Sequence, residues 1–224
     1  MFTDVAASAP GSGRPDGRSC APAPVGDAVI ERCPRDDRAR HEAAEILALG
    51  LAENPLFPWL FEGPRREAWT QWFATWAVRR CAAVGGLWVA GDTPRVGAFG
   101  YFPPGRGGSL DSLRTMPRWP GLPPRRAWTE GRRLEADIAR LRPRGPHFHL
   151  FTVAIRKEAR GRGLWGAFIG RLTADADTRR VPIHLETSST ANVERFARSG
   201  FAVVGEARVG ASPIVWVMHR APRP

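Results

Sequence analysis

The stretch from His147 to Gly166, HFHLFTVAIRKEARGRGLWG, constrains the fold of this 224-residue chain more than any other. Its first half, FHLFTVAI, is β-branched and apolar, the composition of a buried strand. Its end opens a helix in which Leu164, Phe168, Leu172 and Ala176 recur at every fourth position. Between strand and helix stands Arg160-Gly161-Arg162-Gly163. Two glycines and two guanidinium groups at such a turn make an anion site. Backbone N–H groups point outward there, and the helix dipole adds partial positive charge.

The order strand, R-x-x-G, helix resembles motif A of the GNAT superfamily of acyl-CoA N-acyltransferases, in which this turn holds the coenzyme A pyrophosphate. LETSSTANVERFARSGF, from Leu185 to Phe201, is similar to the family's next strand and helix, and IVWVMHR to its last strand. The resemblance covers most of Gly26 to Arg220 and is strongest after His147. It implies an α/β (α+β) fold: one GNAT-like domain over residues 26–222. Its central sheet would be mixed, mostly antiparallel, splayed between the central strands and flanked by helices. It also implies acetyl-CoA as acyl donor, a small-molecule amine as acceptor and direct transfer in a ternary complex, with a homodimer among the assemblies it allows. Two positions depart from the pattern. Trp165 stands where the family prefers Gly or Ala, and Phe196 replaces its usual tyrosine.

Acyl transfer from a thioester to an amine requires a held coenzyme, a deprotonated amine, a polarised carbonyl and a leaving thiolate. The resemblance assigns the coenzyme to Arg160, Gly161, Arg162, Gly163, Leu164 and Trp165. The backbone of Val153, Ala154 and Ile155 would meet the pantetheine arm, with the Val153 amide placed to polarise the carbonyl. Asn192 and Phe196 complete the cofactor side. His149, eleven residues before the motif arginine, matches where the histone-acetylating branch carries its basic glutamate. An imidazole ordinarily titrates near 6.5, which suits proton abstraction at neutral pH. A hydrogen-bonded structural histidine is the plainer reading of the same residue. Glu186, on the neighbouring strand of the family's fold, is the reserve base, or else a partner in an inter-strand pair. Phe196 cannot donate a proton to the leaving thiolate. A thiol with pKa near 8.5 departs tolerably without one, and water or Ser188 can substitute.

The net charge is +11, and Lys157 is the single lysine among 33 basic residues. The arginines are scattered, and no zinc-finger or RNA-binding signature is present, so a nucleic-acid partner ranks last. No apolar run approaches the roughly 18 residues of a membrane helix. The start of the chain lacks a charged segment followed by an apolar core. Cys20, Cys33 and Cys81 are odd in number and lack C-x-x-C spacing, which predicts reduced thiols and a cytoplasmic setting. Two further readings compete with the acyltransferase. One is a non-catalytic acyl-CoA-binding protein, motivated by Trp165 and Phe196 together. The other is a metal site, because His147-Phe148-His149 and His184-Leu185-Glu186 each place two ligand types on one strand face. We expect no metal.

In chain order, Met1 to about Val25 reads as a disordered Ala/Pro/Gly-rich tail. DAVIERC predicts a strand. Asp36 or Asp37 caps a helix through about Ala52, with Ile46, Leu47 and Leu51 inward. Asn54-Pro55 breaks it, and PLFPWLFEGP is too proline-rich for regular structure. A helix from about Arg65 to Arg80 carries Trp69, Trp72, Phe73 and Trp76 on one stripe, either as core or as a wall for the acceptor. GGLWVAG and VGAFGYF form a hairpin. A long Pro/Gly/Arg loop runs to Pro124, long enough to cover a substrate. Leu134, Ile138 and Leu141 mark a further helix.

Overall fold

Asp36 starts the first helix: its side chain accepts a hydrogen bond from the Ala39 amide at 2.7 Å, satisfying one of the helix's orphan donors. The computed structural model describes residues 30–91, 94–106 and 113–223. The expected N-terminal tail, Cys20 and part of the long loop lie outside them. In chain order the described elements are β1 (Ile30–Arg32), α1 (Asp37–Ala52), α2 (Leu56–Leu60), α3 (Arg66–Ala83), β2 (Leu87–Ala90) and β3 (Gly97–Phe102). Then follow α4 (Arg125–Leu141), β4 (Phe148–Ile155), α5 (Leu164–Arg179), β5 (Ile183–Thr187), α6 (Thr190–Ala197), β6 (Ala202–Ala207) and β7 (Val215–Arg220).

These strands form one sheet in the order β1-β2-β3-β4-β5-β7-β6, antiparallel throughout except for the β4–β5 pair. Parallel pairing there follows from the crossover through α5. β4 and β5 pair only at Phe148↔Ile183, His149↔His184 and Leu150↔Leu185, after which the strands part. The mixed, mostly antiparallel, splayed sheet implied by the resemblance is therefore present. On its other edge β4 pairs with β3, where Tyr101 faces Leu150 but Gly100 faces Thr152. Phe151 is thus an extra residue in β4, a bulge that resets the alternation of faces.

That reset divides the core. Phe148 and Leu150 pack with the buried stripe of α5, Leu164, Phe168, Leu172 and Ala176. On the opposite face Ala154 packs with α1 and α3 through Ala43, Leu47 and Val78. α1 lies close enough that a Cβ at Gly50 would stand 2.6 Å from Ala154 Cβ, so only glycine fits the crossing. Burial pushes the Cys33 and Cys81 thiols up to about 11 and about 12, which removes thiolate character.

The structure corrects one expectation: residues Leu56–Leu60 are helical despite Pro58. Asn54 Oδ1 accepts from the Leu56 amide at 3.0 Å, and Pro58 falls in the first turn, where a missing N–H costs nothing. α3 runs to Ala83, almost a turn further than expected. Trp69 is buried, stacked on Phe61, while Trp72 donates from Nε1 to the Pro117 carbonyl at 3.2 Å and ties the long loop to the helix. No helix among the described residues is long and apolar enough to cross a membrane.

Candidate active site

Where β4 and β5 part, a cleft of about 710 Å³ opens between α1, the strand ends, the glycine turn and α6. Its wall includes Val153, Ala154, Ile155, Arg160, Gly161, Gly163, Leu164, Trp165, Glu186, Asn192 and Phe196. Arg162 is exposed and stands outside this wall, as does His149.

Hydrogen-bond parity fixes which β4 amides face the opening. The Arg156 amide donates to the Val96 carbonyl at 2.8 Å, so Arg156 is bonded toward β3. Counting back by two, Ala154 and Thr152 also bond toward β3. Val153 and Ile155 consequently direct their N–H and C=O groups into the cleft. The Ile155 carbonyl indeed accepts from Arg160 Nε at 3.1 Å. The Val153 amide thus faces the space left by the departing β5.

At the turn, Gly161 and Gly163 adopt φ of 81° and 80°, a left-handed backbone that side chains resist. Gly163 is the N-cap of α5, so the first amides of that helix open onto the cleft without intrahelical acceptors. Arg160 is engaged: its Nη2 donates to Glu53 Oε2 at 2.8 Å, and Lys157 approaches the other oxygen at 3.3 Å. The Arg160 hydrogen bond holds the Glu53 carboxyl below its usual value. Glu53, just past the end of α1, gave no signal in the sequence.

Trp165 is half-buried against Phe196 and under the Arg195 guanidinium, 5.0 Å from the indole ring. Asn192 Oδ1 accepts from Arg195 at 3.0 Å. The Ser188 hydroxyl is buried and donates to Asn54 Oδ1. The chain's single tyrosine, Tyr101, is buried beside Phe99 and Phe148.

His149 and Glu186 come together. His149 Nε2 lies 2.7 Å from Glu186 Oε2, with both side chains largely buried. The second carboxylate oxygen lies 2.9 Å from His184 Nε2 and 3.4 Å from Arg142 Nη2. Burial alone would raise the Glu186 carboxyl. The His149 charge and hydrogen bond, joined by those of His184, outweigh it and hold the group well below the usual carboxylate range. Burial lowers His184 in turn, against the raising effect of Glu186. The donor atoms of His149, His184 and Glu186 lie within 4.8 Å of one another, so the two strand motifs converge as a metal reading requires. Their separations of 2.7 and 2.9 Å are also those of hydrogen bonds, and Arg142 already brings a cation to the same carboxylate. Phe102, Phe151, Phe73 and Trp76 form an aromatic layer from the His149 ring to α3, with Arg80 across it 4.6 Å from both Trp76 and Phe102.

No family model matches the chain. Solved structures do. One described as histone acetyltransferase HPA2 and related acetyltransferase, from Corynebacterium glutamicum, aligns at TM-score 0.63 and 21% identity, covering 88% of this chain and 97% of that one. Arylalkylamine N-acetyltransferase 2 of Aedes aegypti aligns at 0.61 and 10% identity, over 88% and 100%. A polyamine N-acetyltransferase of Drosophila melanogaster aligns at 0.55 and 16% identity, over 87% and 100%. The fold is therefore that of acetyltransferases, with a glycine turn and a splayed strand pair at its centre. More narrowly, it is the fold of the GNAT superfamily.

Proposed function

We propose that this chain is an acyl-CoA-dependent N-acyltransferase, most simply one that moves acetyl from acetyl-CoA to the amine of a small molecule. The observation that carries the reading is the parting of β4 from β5 beyond Leu150 and Leu185. It frees the Val153 and Ile155 backbone and leads from the α5 N-terminus toward the His149–Glu186 pair. In this reading the amides of the turn and of the first turn of α5 receive the pyrophosphate, and Arg195 and Arg198 add charge at the same cleft. The pantetheine arm bonds along Val153 and Ile155, and the Val153 N–H polarises the thioester carbonyl.

His149 acts as general base. Its Nε2–H donates to the ionised Glu186, leaving the Nδ1 lone pair to take a proton from the amine, directly or through water. The neutral amine left by that deprotonation attacks the carbonyl carbon, and the tetrahedral intermediate collapses with loss of the coenzyme thiolate, which takes up the proton shed by the acylated nitrogen. Among the described residues, neither Cys33 nor Cys81 lines the cleft and burial pushes both thiols up, which supports direct transfer over an acyl-cysteine intermediate. Acetyl-CoA-dependent release of free thiol across a panel of amines tests the reading. Release with an amine and none without it is expected, and no release with any amine counts against catalysis.

A second reading, an acyl-CoA-binding protein without turnover, draws on Phe196 and the buried Tyr101. Among the chain's residues no phenol is available to protonate the leaving group. Coenzyme binding with no thioester consumption would favour it.

A further inference from the structure

Four of the chain's five histidines, His147, His149, His184 and His219, stand where β4, β5 and β7 run side by side. Three of them form a row: His149 is the register partner of His184, and His184 of His219. The proposed base requires only His149 and Glu186. His184, with no exposed surface, and His219 beyond it remain to be explained.

Proton counting along the row supplies the explanation. Glu186 is ionised and accepts only, so the His184 Nε2 atom 2.9 Å away carries a hydrogen. Burial favours the neutral form of His184, and a neutral ring protonated at Nε2 has a lone pair at Nδ1. That lone pair lies 3.1 Å from His219 Nε2, which must then be the donor. Burial and the neighbouring His184 and His147 favour the neutral His219 ring against the raising effect of the Leu141 carbonyl, so its single N–H stands at Nε2. The other groups facing the string are His147, one residue before β4, and Arg142 at the end of α4, with Glu135 2.7 Å behind Arg142. Arg142 lies against the same oxygen that His184 bonds, which keeps that oxygen an acceptor.

We propose that His184 and His219 are positioning residues that fix the tautomer of His149. His219 Nε2–H donates to His184 Nδ1, and His184 Nε2–H donates to Glu186 Oε1. Glu186 Oε2 is left to accept from His149 Nε2–H, and His149 keeps its lone pair at Nδ1. Neither ring touches substrate. Their effect passes through the carboxylate, which without His184 can rotate and bond His149 in either tautomer. This rests on the reading of His149 as the base.

The test uses the full chain labelled with ¹⁵N-histidine, comparing wild type, His184→Leu, His184→Gln and His219→Phe. Nitrogen shifts report each ring's tautomer, and steady-state kinetics report kcat, KM and the pH profile. In the wild type His149 is expected protonated at Nε2 and bare at Nδ1. His184→Leu should mix the tautomers and lower kcat at least about tenfold, with both KM values within about twofold, because a wrongly protonated imidazole cannot take the proton. His184→Gln, whose amide still donates to Oε1, should restore most of the rate. His219→Phe should act in the same direction and serves if the leucine variant fails to fold. An unchanged His149 tautomer in His184→Leu overturns the proposal, as does equal damage from leucine and glutamine. One zinc per chain, with metal-bound imidazole shifts, also overturns it. The spectra need no turnover: tautomer mixing in a protein inactive toward every amine would sink the acyltransferase reading and bear out the string.

Discussion

Trp165 and Phe196 pack against each other, with ring centroids 4.8 Å apart and planes at 57°. The two positions at which the sequence departs from the family pattern are therefore one contact. The large ring at the start of α5 fills space against a ring on α6 that carries no hydroxyl, and Phe201 backs the pair at 5.4 Å. An aromatic contact of this kind contributes about 0.5–1.5 kcal/mol beyond area burial. It joins the two helices that border the cleft, so Trp165 serves as a wall of the site.

That pairing sets the outcome for Phe196→Tyr. A hydroxyl added to this ring enters a buried position, and thiolate departure does not demand an acid. The rate should change by less than about tenfold, read as kcat at saturating acetyl-CoA. A gain of two orders of magnitude would mean that the wild type is crippled, and would favour the binding-protein reading.

Glu53 and Arg160 lead to the second prediction. Arg160→Glu should abolish the thermal stabilisation given by acetyl-CoA while the ligand-free protein still folds. A charge-assisted bond worth roughly 1.5–3 kcal/mol is lost and a like charge is gained. Glu53→Gln should tighten coenzyme binding a few-fold, because the carboxylate at 2.8 Å competes with phosphate for the same guanidinium. Weaker binding in Glu53→Gln would show instead that Glu53 serves to orient Arg160.

The sequence showed the strand–turn–helix around Arg160 plainly, because both periodicities and both left-handed glycines are local signals. The stripe of α3 was equally visible, but whether its rings form core or substrate wall depends on tertiary packing: Trp69 is buried and Trp72 holds a loop. β6 escaped notice because it is an exposed edge strand, and Val203 and Val204 lie outside any apolar alternation. The His149–Glu186 contact is half legible. The sequence offers the two residues as alternative bases, yet their side chains are bonded to each other, since the β4–β5 register places His149 beside His184, two residues from Glu186. His219 joins them only through the β5–β7 register, which no local pattern encodes.

Arg220, almost wholly buried, grips Asp177 with two bonds of 2.8 Å and ties α5 to β7. The Arg220 hydrogen bonds, aided by the Arg223 amide, lower the Asp177 carboxyl to about 2. A depressed carboxyl contributes stability that is full above its ordinary value near 3.8 and is lost as pH falls toward 2. Arg220→Met should destabilise the fold by about 1–3 kcal/mol at neutral pH, since Asp177 keeps partial access to water. Urea titrations should show the gap between variant and wild type closing between about pH 4 and pH 2. A gap independent of pH would assign the loss to packing of the arginine stem.

His149 and Glu186 separate the roles of base and support. His149→Ala should lower kcat by about 10²-fold or more and erase the acid limb of kcat/KM. Coenzyme affinity should change little, because His149 stands outside the wall of the cleft proposed to hold it. Glu186→Gln should act differently. Glu186 is ionised well below the usual carboxylate range, so it adds no limb of its own near neutrality. Its charge instead faces His149 Nε2 at 2.7 Å and offsets the positive charge the ring would gain with the proton. Removing that charge should reduce kcat by less than His149→Ala does. Profiles of wild type and both variants, each repeated with a chelator, decide the matter. An intact acid limb in His149→Ala would move the base to Glu186 or to water. Activity lost to the chelator in the wild type would replace the base with a metal ion.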